Sequence, residues 1–201
     1  MTESGVFLRE AAGGKLVEAT FVDEITPEHL ALWERHWLPT MRRSRLRHSI
    51  LDTMEDAHWD WRRKSRAWRG MLGYHSFALL CQGDLQGLMI TNDISSARLQ
   101  EQFGKPLIYV EFVATAPWNR PQMGASPRYR GIGFIFMLAA IETSRDAGFK
   151  GRVGLHSLPA AEPFYEARCG FTRLGPDASH QNLTYFEMTE KQANAFRRSQ
   201  N

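Results

Sequence analysis

The chain has 201 residues, 43% hydrophobic and 23% charged, so a folded soluble protein with one core is expected. No run of 18 apolar residues occurs and Met1 to Gly14 lacks the pattern of a secretory signal, so neither a membrane span nor export is expected. The two cysteines, Cys81 and Cys169, lack disulfide-framework or metal-ligand spacing, which fits a cytoplasmic protein with no metal, and a net charge of +3 does not by itself argue for nucleic acid.

Residues 16–22, Leu-Val-Glu-Ala-Thr-Phe-Val, are rich in strand formers and read as a first strand. Thr26-Pro27-Glu28 starts a helix: Thr caps, Pro takes the first helical position and an acid follows. Leu30, Trp33, Trp37 and Leu38 recur at helical spacing, and the helix is expected to stop near Pro39. A second helix is expected from about Ser49 to Arg69, with Ile50, Met54, Ala57 and Trp61 on one face. Residues 77–81 and 85–90 flank the turn Gln82-Gly83-Asp84 as a hairpin. A polar stretch, Asn92 to Gly104, leads into a strand over 107–116, and Pro117 to Pro127 is a loop. Gly131 to Ala147 is a helix ended by Gly148. A strand over 152–157, a short helix over 160–168, two strands over 171–174 and 183–188, and a helical tail from Glu190 complete the order. No interior linker is visible, so one mixed α+β domain over 1–201 is expected, with hairpins around one strand–helix–strand unit.

Charge is concentrated between Met41 and Gly70. Arg42, Arg43, Arg45, Arg47, Arg62, Arg63, Lys64, Arg66 and Arg69 are opposed by Asp52, Glu55, Asp56 and Asp60. Such a run reads first as solvated helix faces, and second as a surface that attracts an acidic substrate.

The segment that carries chemistry is Arg128-Tyr129-Arg130-Gly131-Ile132-Gly133, between a loop and a helix that continues with Phe134. Glycines let a backbone approach a ligand closely. A helix start presents unpaired N–H groups and the positive end of its dipole, about half a unit charge. Together these can cradle a diphosphate, with two arginines beside it. The spacing is not the Gly-x-Gly-x-x-Gly of a dinucleotide fold, and no acid follows at the distance that fold requires.

Arg-x-x-Gly-x-Gly after a strand and a proline-containing turn resembles the coenzyme A pyrophosphate loop of the GNAT N-acetyltransferase superfamily. Leu155-His156-Ser157, then Ala161 to Tyr165, then Gly170-Phe171 resembles the family's next strand, its helix and its "Phe-Tyr…Gly-Phe" ending. The likeness covers 77–188, while 1–76 fits in outline as the substrate-side strand and helices. Three departures stand in the sequence. One extra residue separates Tyr165 from Gly170, Leu158 replaces a common coenzyme-contacting Asn, and the loop from Pro117 to Pro127 is long.

The resemblance implies a GNAT fold: a central, mostly antiparallel sheet with one parallel strand pair, flanked by helices. It also implies acetyl-coenzyme A as co-substrate, an amine of a small molecule or protein as acceptor, direct attack, and a monomer or homodimer. By the same resemblance the coenzyme site comprises Arg128, Tyr129, Arg130, Gly131, Ile132, Gly133 and Phe134. Val113 and Thr115 join it, if Thr115-Ala116-Pro117 matches the family's "Val-x-Pro" strand end. The family's tyrosine maps onto Tyr165 as general acid for the leaving thiolate; a hydroxyl with an ordinary pKa near 10 holds its proton at pH 7. Strand alternation puts Glu111 on the face of Val113 and Thr115, which makes it the candidate base. His156 is a weaker candidate, since a lone strand histidine is usually structural. His58 and Trp59 would belong to the substrate-side wall, where tryptophan–arginine mixtures suit flat or anionic ligands; Trp61 reads as core. Two other readings stand beside this one. The chain could bind acyl-coenzyme A without catalysis, or acetylate aminoacyl-tRNA or another acidic substrate through the basic 41–70 segment.

Overall fold

The computed structural model describes residues 2–47, 55–120 and 126–200. Among these, nine strands form one sheet in the order β6-β1-β2-β3-β4-β5-β7-β9-β8. It opens with a hairpin of β1 (Glu3–Glu10) and β2 (Leu16–Val22), in register from Glu3↔Val22 to Arg9↔Leu16. β2 lies where the sequence placed the first strand. β1 lies outside the expected elements, because Leu8 is its one fully buried residue while Phe7 beside it is exposed.

Helix α1 (Pro27–Leu32) begins as expected. The Thr26 hydroxyl accepts from the His29 N–H, and the His29 ring nitrogen accepts from the Thr26 N–H. It does not stop at Pro39. A π turn over Trp33–Trp37 leads directly into α2 (Leu38–Arg47). Proline lacks an N–H and crowds the carbonyl four residues back, which ordinarily breaks a helix. Here the wide turn, closed by Leu38 N–H donating to the Trp33 carbonyl, lets the chain pass the proline.

The second helix expected from Ser49 is shorter. Residues 49–54, with Ile50 and Met54, lie outside the described residues; 55–58 form turns, and α3 spans Trp61–Trp68. It starts there because the Asp60 carboxylate accepts from the Arg63 N–H at 3.0 Å. Trp61 is core, as expected.

Strands β3 (Tyr74–Cys81) and β4 (Asp84–Ser96) meet at Gln82-Gly83, both with positive φ, as a two-residue hairpin requires. β4 continues to Ser96, five residues into the expected polar stretch. Between β3 and β5 its backbone is paired, and its last residues alternate in exposure. β5 (Pro106–Thr115) is followed by β6 (Tyr129–Arg130), α4 (Ile132–Asp146) and β7 (Val153–Ser157). β5 and β7 form the parallel pair, from Ile108↔Val153 to Val110↔Leu155. The expected short helix over 160–168 is a 3₁₀ turn, Pro159–Ala161, and a π turn, Phe164–Arg168. β8 (Thr172–Asp177), β9 (Leu183–Met188) and α5 (Glu190–Gln200) end the fold.

Two compact units share β4 and β5: residues 1–90 with 112–133, and 91–111 with 134–201. The first is built on Trp33, Trp37, Trp61, Leu85, Leu88 and Ala114. The second buries Phe136, Met137, Ile141, Val153, Leu155, Phe186 and Met188. No described helix is long and apolar enough to cross a membrane.

Candidate active site

The glycine loop is held in the first unit. Tyr129 N–H donates to the Asn119 carboxamide at 2.9 Å, Arg128 N–H to the Trp118 carbonyl, and the Arg128 carbonyl accepts from Ala11 N–H. Asn119 is itself fixed by buried Gln86, whose carboxamide oxygen accepts from Asn119 and from the Trp118 indole. Gly131 has φ +99, a conformation that favours glycine, and α4 begins one residue later. The N–H groups of that first turn have no partner within the helix. Arg128 and Arg130 are exposed, with Arg128 3.4 Å from Asp84 and over the Trp118 ring. The set fits a diphosphate: exposed cations, a glycine turn and an open helix start.

Three of the expected coenzyme residues turn their side chains into the protein. Tyr129 is buried, and its hydroxyl donates to Gln82. Ile132 is buried too. In the second unit Phe134 packs on Phe164 and Phe196. Val113 and Thr115 are half-buried at the end of β5. The Thr115 carbonyl accepts from Arg120 Nε at 2.8 Å, and Arg120 pairs with Asp56 at 2.7 Å. His58 is exposed, whereas Trp59 is half-buried and packs edge-on against Phe112 and Trp61.

In the second unit Glu111 accepts from Asn92 Nδ2 at 2.7 Å. Tyr109 lies two residues away, on the same strand face. Its hydroxyl is 2.6 Å from His156 Nδ1, and His156 Nε2 is 2.9 Å from Asp177 Oδ2. Arg98 binds that oxygen at 2.5 Å and covers the Tyr185 ring; Ser179 N–H and hydroxyl donate to the other oxygen. These contacts, led by Arg98, hold the Asp177 carboxyl well below the usual range. Burial pushes His156 down to about 4, so the ring is neutral at pH 7. Burial pushes the Tyr109 hydroxyl up, and the Glu111 charge adds to it.

His156, Asp177 and His180 place three donor atoms within 4.8 Å, a spacing a metal could use. The ring geometry does not suit one. His156 and His180 stack at 3.9 Å and 7°, so their lone pairs lie in nearly parallel planes and not in one shared by a metal, and the Arg98 cation already binds the shared carboxylate oxygen.

Tyr165 is 6% exposed in its π turn. Its ring lies against Phe164, Phe171 and Phe186, and burial drives its hydroxyl pKa up, so it keeps its proton at neutral pH.

No protein-family model and no curated protein sequence matches this chain. Solved structures do match in shape. The PaiA N-acetyltransferase from Thermoplasma acidophilum, in complex with coenzyme A, superposes with a TM-score of 0.56 at 10% identity, over 85% of this chain and 98% of that one. The GNAT domain of S. lividans PAT gives 0.55 at 12%, over 92% and 96%. YncA from Salmonella typhimurium, described as a putative acetyltransferase with acetyl-CoA, gives 0.51 at 17%, over 86% and 94%. The fold is the GNAT fold.

Within that GNAT fold the sequence misses the Tyr109–His156–Asp177 chain. A signal for part of it was present: Tyr109 shares the alternation that singles out Glu111. Asp177 carries none, since it is 21 residues from His156 and only β9, pairing with β7 on one side and β8 on the other, brings the two together. Gly154 is part of the same device. A Cβ there would lie 2.5 Å from the Tyr185 hydroxyl, so only glycine leaves room for that ring beside His156.

Proposed function

We propose that the protein is an N-acetyltransferase that moves an acetyl group from acetyl-coenzyme A to an amine by direct attack. The observation that carries this reading is the Arg128–Gly133 loop opening α4 in a GNAT fold. On this reading the loop N–H groups and the exposed Arg128 and Arg130 hold the diphosphate, and the C-terminal part of β5 lies along the acyl end. Glu111, oriented by Asn92, is the carboxylate on β5 that meets the acceptor's positive charge. By the motif resemblance Tyr165 stands at the family's tyrosine position, and Tyr109 offers a second hydroxyl.

An acidic macromolecular substrate is the less favoured reading. Arg62 is ion-paired with Glu34, Arg69 lies 3.7 Å from Glu24, and Lys64 sits over the Phe112 ring, so three cations of the basic segment are engaged within the chain.

Acetyl-coenzyme A should raise the melting temperature, because a ligand bound to the folded state stabilises it by mass action. Gly133→Glu puts a negative side chain at the helix start and should abolish that shift; an unchanged shift would place the coenzyme elsewhere. Coenzyme A release across a panel of amines, with intact-mass analysis of products, tests turnover and identifies the acceptor.

A further inference from the structure

Resting on the acetyltransferase reading, we propose that Tyr109 exchanges protons with the reacting amine and thioester, with His156 and Asp177 behind it as positioning residues. Tyr109 stands opposite Gly154 in the parallel ladder, yet its hydroxyl bonds to His156, two residues further along β7. The side chain therefore leans toward the C-terminal ends of both strands, beyond Val110↔Leu155, where their pairing ends. Glu111 is the next residue on that strand face.

The proton order follows from the hydrogen bonds. Asp177 is held as a carboxylate by Arg98, so His156 Nε2–H donates to it. A neutral imidazole has one N–H, so Nδ1 is the acceptor and Tyr109 O–H the donor. Stacking by His180 and the tilted Tyr185 ring fixes the imidazole plane. The charged and titratable groups around His156 are thus Tyr109 from β5, Tyr185 from β9, Asp177 ending β8, His180 after it and Arg98 after β4, with Glu111 beside Tyr109.

The acceptor's ammonium first gives one proton to solvent; the neutral amine nitrogen then bonds to the thioester carbonyl carbon and the carbon–sulfur bond breaks. The nitrogen's proton passes to the Tyr109 oxygen as the Tyr109 proton moves to His156 Nδ1; the imidazolium formed keeps Nε2–H on Asp177. The proton then returns from Nδ1 to Tyr109, and Tyr109 gives its proton to the thiolate. Amide and thiol are formed, and every protein group regains its starting proton. The low basicity of buried His156, with a pKa of about 4, makes the return downhill toward a thiol with an ordinary pKa of about 8.5. Tyr165 is not needed on this path.

The test compares Tyr109→Phe, His156→Gln and Tyr165→Phe with the wild-type full-length chain, using the amine that the panel identifies. Glutamine at 156 can still accept from Tyr109 and donate to Asp177 but cannot relay a proton, so it removes the relay while keeping the hydrogen bonds. Tyr109→Phe and His156→Gln should each lower kcat by roughly 10²-fold or more, with KM and the acetyl-coenzyme A Kd within about twofold. Tyr165→Phe should stay within about threefold of wild type. Full activity in Tyr109→Phe or His156→Gln, or a larger loss in Tyr165→Phe, overturns the proposal. ¹⁵N NMR of histidine-labelled protein is independent of turnover: between pH 6 and 8 His156 should carry its proton on Nε2, and a proton on Nδ1 overturns the proposal. A wild-type protein that turns over no amine brings down the enzyme reading itself; one that turns over while Tyr109→Phe is unimpaired brings down only the relay.

Discussion

Two tyrosines of the same unit carry hydroxyls that hold their protons, and their surroundings could hardly differ more. Tyr165 sits in a motif that the sequence makes conspicuous, and the structure surrounds its ring with Phe164, Phe171 and Phe186. Tyr109 sits in no motif, and its hydroxyl ends a chain through His156 to an aspartate fixed by Arg98. The first environment stabilises by apolar burial; the second gives a proton somewhere to go. A residue's place in a pattern identifies its type, whereas its partners decide whether a hydroxyl can exchange its proton.

The contrast predicts different responses to perturbation. The largest is at the aromatic cluster. Tyr165→Ala should destabilise by about 3–5 kcal/mol, the usual cost of emptying a buried aromatic site, as read by urea unfolding. A loss under about 1 kcal/mol would mean the ring is not a core element.

The polar chain should instead respond to pH. The folded pKa of His156, about 4, lies below its ordinary value of about 6.5, so between these values the unfolded chain binds more protons. Stability is therefore full above pH 6.5 and falls as the pH drops toward 4, by up to about 3 kcal/mol. Asp177, whose pKa is held low, loses its contribution only below the usual carboxylate range. Unfolding free energies measured at pH 4.5 and 7 should converge in His156→Gln; an undiminished slope in that variant would place the titration elsewhere.

A smaller effect is expected where backbone and ring meet. Gly154→Ala forces a Cβ to within 2.5 Å of the Tyr185 hydroxyl and 3.2 Å of Leu107, an overpacking that costs about 1–3 kcal/mol. The change should also disturb the His156 NMR signals, because Tyr185 tilts against that ring. Unchanged signals would uncouple the two.

The sheet was largely legible because hairpin turns, strand formers and the glycine that follows α4 are local signals. β2, β3, β5, β7, β9 and α4 all lie close to their expected positions. β1 was hidden by its exposed Phe7, and the continuation of β4 by polar side chains on a backbone that is nonetheless paired. The glycine turn and the helix start after it could be placed because their residues are contiguous in the sequence. Tyr129 and Phe134 lie in that motif, yet the structure turns one toward Gln82 and the other into a cluster of rings. Such a direction is set by neighbours far along the chain. The relay was hidden for the same reason: its members stand at 98, 109, 156 and 177, and only strand order assembles them.

The two π turns, Trp33–Trp37 and Phe164–Arg168, are places where this fold can accommodate a change in chain length. An extra residue in an α-helix rotates everything beyond it by about 100°, whereas a π turn absorbs it within one wide loop of backbone. The π turn Phe164–Arg168, closed by Cys169 N–H donating to the Phe164 carbonyl at 3.0 Å, lies where the family resemblance counts one residue more between Tyr165 and Gly170. Insertions of this kind let a sequence drift in length while the elements on either side keep their orientation, so equivalent residues here must be matched in space and not by counting along the chain.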